Sequence, residues 1–541
     1  MKRKIILTLT ITTLLTTFLT ATLNPLNTAN ATATIIQLKW TNPMAVYDVA
    51  VSKDGNYLTA VNDTGLYYFD ADNQNPLWWY QPPTVTLISV AISTDGDYVV
   101  AGDNNGYLHY FNQSRIRTDS QTTPTWASND MGGPIEKGTL DMSANGNYTV
   151  VGGTGVTMWY YAGCTTRTGQ DQVATWIYGA AITDFLIVHI SPNGKYVAGG
   201  GINSGWQGFV MFFKDADTAT GYHTPAWFAQ SQTETPIFDL TLSDDGYAVT
   251  AIDVGLLTLY YWANATNLTG DPNATWTNPG FFSSIDMTAD GDNVVAGGAF
   301  IIPSSLHFWA NTRTRNGAQS EDWIRLETAV IFDVAISNDG NIIAAPGQEG
   351  TSTYKAYFLT ADGTVIGEYA LLEYSNMVSM SGDGATIAIA GQGYDSLYLF
   401  KTAVDSTPPS INEVYQQPTN ESVTPSDKVN VFANVTDDLS GVKQVLLNYT
   451  AGNGTWFVQT MEPYQIDIWN ATIPAFPYCT NITYIIIAED NANNTITTEE
   501  MEQTYQYHVI PEFPSALIVP LFMITTLLST IAYRRRQKTA K

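Results

Sequence analysis

Cysteine is nearly absent from this 541-residue chain. The two present, Cys164 and Cys479, stand in different regions and cannot make a disulfide framework. Histidine is also scarce. His109, His189, His223, His307 and His508 are scattered, so no Cys/His cluster offers a zinc site and no Ser-His-Asp order can be argued. No phosphate-binding glycine loop occurs; stretches such as Val197–Gly201, VAGGG, fall at strand-turn positions. Cations are few, with Lys+Arg 23 against Asp+Glu 50 and a formal net charge of -27. That balance excludes a nucleic-acid partner, because phosphate binding needs clustered cations. Charged residues of both signs make up only 13%, while apolar residues reach 44%. The chain is long enough for more than one domain and for a sizeable core.

Long apolar runs are confined to the two ends. Residues 1–31 start MKRKIILTLT and continue apolar and Thr-rich to a small-x-small site at Ala29-Asn30-Ala31. This is the pattern of a secretory signal peptide, with an uncleaved N-terminal anchor as the alternative. Near the other end, Ser515 to Tyr533 carries no charge and is followed by Arg534, Arg535, Arg536 and Lys538. The pattern predicts a C-terminal transmembrane helix with its tail in the cytoplasm and everything before it outside the cell. Asn-x-Ser/Thr sequons stand at Asn62, Asn112, Asn147, Asn264, Asn267, Asn273, Asn420, Asn434, Asn448, Asn453, Asn470, Asn481 and Asn493. Their bunching after residue 410 is what a glycan-coated stalk would carry.

Between the ends one hairpin is written eight times, first as VAVSKDGNYLTAV from Val49. Its turn glycines are Gly55, Gly96, Gly146, Gly194, Gly246, Gly291, Gly340 and Gly384, spaced 41 to 52 residues apart. That period suits propeller blades and is too long for ankyrin or leucine-rich units. Apolar alternation precedes each turn, Gly supplies the positive φ of the reversal, and a Ser or Thr three places earlier can cap it. An aromatic-rich third strand follows, then a short fourth strand with Trp79, Trp126, Trp176, Trp227, Trp276 or Trp323, and Tyr369 in the seventh copy. The eighth copy has no fourth strand, whereas Ile35–Trp40, IIQLKW, precedes the first hairpin as a spare. A ring completed by that N-terminal strand predicts an all-β, eight-bladed β-propeller over residues 35–403. A seven-bladed ring with one divergent unit and a linear solenoid are the rivals.

The S-x-[DN]-G-x-Y units with a downstream Trp resemble WD-like and quinoprotein-like propeller repeats. VHISPNGKYVAGG at Val188 is similar to the WD-like kind, and DADTATGYHTPAW at Asp215 to the Thr-Gly…Trp passage of quinoprotein-like blades. The Trp-Asp dipeptide that names WD repeats is missing. The resemblance implies a fold, not an activity. A quinoprotein-like oxidoreductase is the enzymatic alternative it suggests. Such enzymes pair two adjacent cysteines against their cofactor, and the propeller region has only Cys164.

The repeat stops at Asp405. Residues 404–410 read as a stiff linker around Pro408-Pro409, and 411–509 as short alternating strands of a β-sandwich. The ending TYIIIAEDNANN resembles the late strands of immunoglobulin-like surface modules, without their Cys…Trp…Cys core. Residues 510–541 open on Pro511-Glu512-Phe513, and with the apolar run and arginines they resemble an archaeal PEF-CTERM sorting signal. That resemblance implies recognition by a membrane sorting enzyme.

Candidate sites are few. Asp48, Asp239 and Asp333 sit four residues before the repeat Ser or Thr, and Asp141, His189 and Asp286 sit two before it. On innermost strands these groups face the channel, where converging carboxylates bind a cation or, alternatively, pair with amides and hydroxyls between blades. Asp437, Asp438, Asp490 and Asn491 are candidate Ca²⁺ ligands at a sandwich end, or plain turn formers. No catalytic residue is assigned, and no cofactor other than that Ca²⁺ is expected. The sequence reads as a non-catalytic, surface-anchored binding protein with an extracellular protein or glycan ligand.

Overall fold

The computed structural model describes residues 33–118, 123–153, 155, 157–179, 182–298, 305–326, 329–350, 352–391, 393, 397–452, 454–511 and 515–538. The expected signal peptide, Glu512 and Phe513 of the expected sorting motif, and the Asn453 sequon lie outside the described residues. The chain divides into two units, Ile36–Ala403 and a second that includes Val404–Lys541.

Among the described residues the first unit contains eight sheets, each built on one repeat and antiparallel through its main strands. In every copy the turn has the same local chemistry. Ser52 Oγ donates to Asp54 Oδ1 at 2.6 Å and accepts Tyr57 N–H at 3.0 Å. The trios Ser93/Asp95/Tyr98, Ser143/Asn145/Tyr148, Ser191/Asn193/Tyr196, Ser243/Asp245/Ala248, Thr288/Asp290/Asn293, Ser337/Asp339/Ile342 and Ser381/Asp383/Thr386 repeat it. Gly194 shows why the turn needs glycine. Its φ is +77°, and a Cβ there would lie 2.2 Å from the Tyr148 ring of the preceding sheet. The aromatic that opens the second strand thus packs on the next turn, tying local sequence to packing between sheets.

The sheets close on themselves. Turn amides donate to the next turn's carbonyl from Asp54 to Thr94, Thr94 to Ala144 and Ala144 to Pro192. The series resumes from Asp244 to Ala289, Ala289 to Asn338 and Asn338 to Gly382, and Gly382 returns it to Lys53. Its one gap is at Pro192, which has no N–H to give. The eighth sheet runs Met377–Met380, Thr386–Ala390, Leu397–Asp405 and then Ala33–Asn42, so a strand from the start of the chain completes the sheet at its end. Trp40 on that strand is buried and donates to Ala71 O of the first sheet at 2.9 Å.

Six other indoles make the same bond to the following sheet at 2.8–3.1 Å: Trp78 to Ser114 O, Trp126 to Cys164 O, Trp176 to Ala216 O, Trp227 to Ala265 O, Trp276 to Thr312 O and Trp323 to Ala361 O. Two sequence expectations are corrected here. In the first copy the docked ring is Trp78, opposite Tyr68, and Trp79 pairs with Tyr67 on the other face. In the seventh copy the place opposite Phe358 belongs to Gly367, while Tyr369 is two residues further on, opposite Ala356.

The second unit has two sheets facing one core. One holds Ser410–Gln417, Val429–Thr436, Ile468–Ile473 and Glu462–Gln465. The other holds Trp456–Thr460, Val442–Thr450, Asn481–Asp490 and Thr495–Thr497, with Tyr505–His508 on Asn481–Asp490. Val431, Val435, Leu447, Ile473 and Ile486 are buried between them, so the unit is a β-sandwich. Asp405 and Ser410 lie in strands, so the expected linker narrows to residues 406–409.

Ser515–Lys538 is a helix. Its described side chains begin at Val519, and from there the apolar stretch runs into Arg534, Arg535 and Arg536. Among the described residues no helix is long and apolar enough to cross a membrane, which corrects the expected transmembrane span to a terminal helix.

Candidate functional site at the ring axis

The first strands of the eight sheets surround a cavity of about 370 Å³ lined by Asp48, Lys53, Lys137, Asp141, His189 and Asp286 among others. Five aspartates on or beside these strands make one recurring joint. Each carboxylate takes the next amide of its own chain with one oxygen and an amide of the following sheet with the other. Asp48 holds Val49 N and Val90 N, with Ser89 Oγ also on Oδ2. Asp239 holds Leu240 N and Ile285 N, both at 2.8 Å. Asp333 holds Val334 N and Val378 N, and also accepts Ser284 Oγ from the sheet before. Asp141 and Asp286 make the same joint one level along, to Ile190 N and Ile336 N at 2.9 Å. At the closing junction Ser379 Oγ accepts Val51 N–H at 2.9 Å.

These carboxylates are half-buried in the axial channel, and for three of them burial makes the charge costly. Burial and then the neighbouring Asp333 charge push Asp239 up to about 7. Burial pushes Asp48 up to about 6, against the opposing pull of Lys137. Asp286 is raised for the same reason. For His189 burial opposes the cation, but the Asp141 carboxylate 3.5 Å away, with Asp239 and Asp286 beyond, raises its pKa overall. The axis is therefore a cluster of hydrogen-bonded groups in which Asp48 and Asp239 hold their protons to higher pH than ordinary carboxylates. Its oxygens are engaged by amides that hold adjacent sheets together.

No family model and no curated protein matches the chain. Among solved structures it is similar to the C-terminal WD40 domain of Sif2, at 15% identity and a TM-score of 0.50, over 68% of this chain and 98% of that one. The ring is a WD40-like β-propeller. At that identity the likeness speaks for fold alone.

Sequence reasoning missed a group of exposed apolar residues at one end of the fourth and fifth sheets. Three segments of the fourth and fifth sheets meet at the strand ends opposite the Ser-x-Asp-Gly turns. Ser231 N donates to Gly208 O, and the fully buried Asp253 accepts Ser231 Oγ and Thr235 Oγ1. Around them Trp206 is 67% exposed, with Phe238, Leu256 and Leu257 also exposed. Trp206 and Leu257 both have left-handed backbone, φ +64° and +50°, a costly conformation for bulky side chains. A cleft of about 190 Å³ lies beside them, lined by Gln230, Asp253, Tyr260, Trp262 and Asp271. Single exposed apolar residues give no sequence signal, because only folding brings these turns together.

Of the sequons, Asn62 is buried and donates its Nδ2 to Ala45 O. Asn112, Asn147, Asn434, Asn448 and Asn470 are half-buried; Asn264, Asn267, Asn273, Asn420, Asn481 and Asn493 are exposed. Both cysteines are free. Cys164 is buried, and burial pushes its thiol up to about 12.

Proposed function

We propose that the chain is a non-catalytic binding protein of the cell surface, with an eight-bladed propeller as its binding platform and an Ig-like sandwich as its stalk. The observation that carries this reading is the set of exposed apolar residues Trp206, Phe238, Leu256 and Leu257 at one end of the fourth and fifth sheets, Phe238 on the strand Ile237–Leu242 and the others on strand-joining turns. Exposed aromatic and aliphatic side chains near a cleft are what a protein partner packs against. The axial groups are occupied in joining sheets, so the loops, not the channel, are the binding surface. An extracellular protein is the favoured ligand, and a glycan is the second.

The C-terminal helix supports attachment to a membrane. Val519, Leu521, Phe522, Met523, Ile524, Leu527, Leu528 and Ile531 are exposed on all sides of it. The hydroxyls of Thr525, Thr526, Ser529 and Thr530 bond back to carbonyls of the helix, which hides their polarity. With Pro511-Glu512-Phe513 before it, this tail suits capture by a sorting enzyme and an extracellular ectodomain.

The test is a surface-protein and glycan binding screen with residues 35–509, repeated with Trp206→Ser/Leu257→Ser. Binding lost in the double variant, with unchanged melting, supports the reading; binding retained by residues 406–509 alone moves the site to the stalk. The quinoprotein alternative draws on Gly169, Gly221 and Gly317, whose short segments pair in parallel with the Trp strands before them. Dye-linked oxidation on adding quinone cofactor and Ca²⁺ would favour it.

A further inference from the structure

Asp405, Asp437 and Asp490 come from three separate places in the second unit: the end of Leu397–Asp405, the turn after Val429–Thr436 and the end of Asn481–Asp490. One carboxylate oxygen from each lies within 4.8 Å of the others. Asp405 and Asp490 are fully buried. Among the described residues no lysine or arginine pairs with any of the three; the nearby Lys443 is engaged by Glu489 and Asn493.

Backbone donors fix the carboxylates in place. Asp405 Oδ1 accepts Thr407 N and its Oδ2 accepts Ser440 N, while Asp437 Oδ1 accepts Leu439 N and Gly441 N. Asp490 Oδ1 accepts Asn494 N. Two acceptors are then left over. Asp437 Oδ2 is buried with no donor. Asn494 is fully buried, and its carboxamide stands against both buried aspartates, with Nδ2 on Asp490 Oδ2 at 2.9 Å and on Asp405 O at 3.3 Å. Its Oδ1 has no donor either. Buried acceptors without donors, beside buried carboxylates without a cation, are costly unless a positive ion supplies the missing partner.

We propose that Asp405, Asp437 and Asp490, with Asn494 Oδ1, form a Ca²⁺ site in the sandwich. The donor set is all oxygen, which selects a hard cation over zinc or copper. Two oxygens on opposite sides of a Ca²⁺ ion lie about 4.8 Å apart, from Ca–O distances near 2.4 Å. The three carboxylate oxygens lie within that distance of one another, and an irregular set of carboxylate and carboxamide donors suits Ca²⁺, which accepts flexible geometry, better than octahedral Mg²⁺. Water completes the coordination. The set differs from the sequence expectation. Asp437 and Asp490 are retained, Asp438 and Asn491 are exposed and excluded, and Asp405 and Asn494 enter. The ion would tie Asp405, near the start of the second unit, to two loops of the sandwich.

The test is calorimetric titration of Ca²⁺ into the chelator-stripped full chain, with thermal melting in parallel. The expected result is binding with Kd on the order of 10⁻⁴ M or tighter and a higher melting temperature for the sandwich. Asp437→Asn keeps the turn-capping oxygen and removes one charge; it should weaken binding at least ~10-fold, while Asp438→Asn leaves it unchanged. If Asp437→Asn does not fold, Asn494→Asp serves instead: it should melt lower than wild type in chelator and gain more from Ca²⁺. No heat and no melting shift for wild type, equal response to Mg²⁺, or Asp437→Asn binding like wild type would each overturn the proposal.

Discussion

The two units bury their apolar side chains in different ways. The propeller divides its core into eight clusters, one between each pair of neighbouring sheets, as with Leu58 and Phe69 against Ala388 and Leu399 at the closing junction. The sandwich has one cluster, shared by both of its sheets. Small separate cores leave each junction in need of specific polar joints, and the propeller supplies them as indole-to-carbonyl bonds, aspartate clasps and linked turns. The sandwich has no repeated joint; its order comes from one shared core. A repeat architecture spreads stability over many like interfaces, so damage at one should be felt around the ring but not in a unit with its own core.

The largest effect should come from breaking each architecture where it has no substitute. Trp40→Ala removes the indole at the closing junction and should destabilise the propeller by about 3–5 kcal/mol, leaving the sandwich transition in place. Ile486→Ala, in the fully buried sandwich core, should do the reverse at about 2–5 kcal/mol. Differential scanning calorimetry of the two variants checks both; a shift of both transitions in either would show that the units do not melt independently. A step smaller, Gly194→Ala should cost the propeller about 1–3 kcal/mol, because left-handed backbone and the Tyr148 ring both oppose the methyl group.

The joints at the axis predict a pH effect of opposite sign to an ordinary salt bridge. Asp239 is raised from 3.8 to about 7. Between those values the folded state holds a proton that the unfolded chain has lost, so stability falls as pH rises through that window. Asp239→Asn should flatten the fall in propeller melting temperature from pH 4 to 8 by about 1–3 °C relative to wild type. Equal slopes would contradict the assignment. The smallest perturbation contrasts the two thiols. A thiol reagent should label the exposed Cys479 and leave Cys164 untouched until the propeller unfolds.

What was legible in the sequence was local. A hydroxyl bonded two and five residues ahead, with glycine between, writes the Ser-x-Asp-Gly turn into any window of six residues, so all eight copies could be read. Trp78 and Trp79 could not be told apart, because adjacent aromatics in a short strand fit either face and only the neighbouring sheet chooses. Gly367 was invisible for a related reason: with no indole in the seventh copy, Tyr369 was the nearest ring in the sequence. Asp405, Asp490 and Asn494 meet only in the folded sandwich. The loops around Trp206 come together from turns of two repeats, and no single stretch announces them.

Closure of the ring by the first strand is the claim on which the rest depends, and hydrogen–deuterium exchange tests it most directly. If Ala33–Asn42 is hydrogen-bonded to Leu397–Asp405 as the outer strand of its sheet, the alternate amides of residues 35–42 that face Leu397–Asp405 should exchange far more slowly in the full chain than those of an unstructured peptide. Exchange of residues 35–42 at the rate of an unstructured peptide, with Thr386–Ala390 still protected, would contradict the closed propeller.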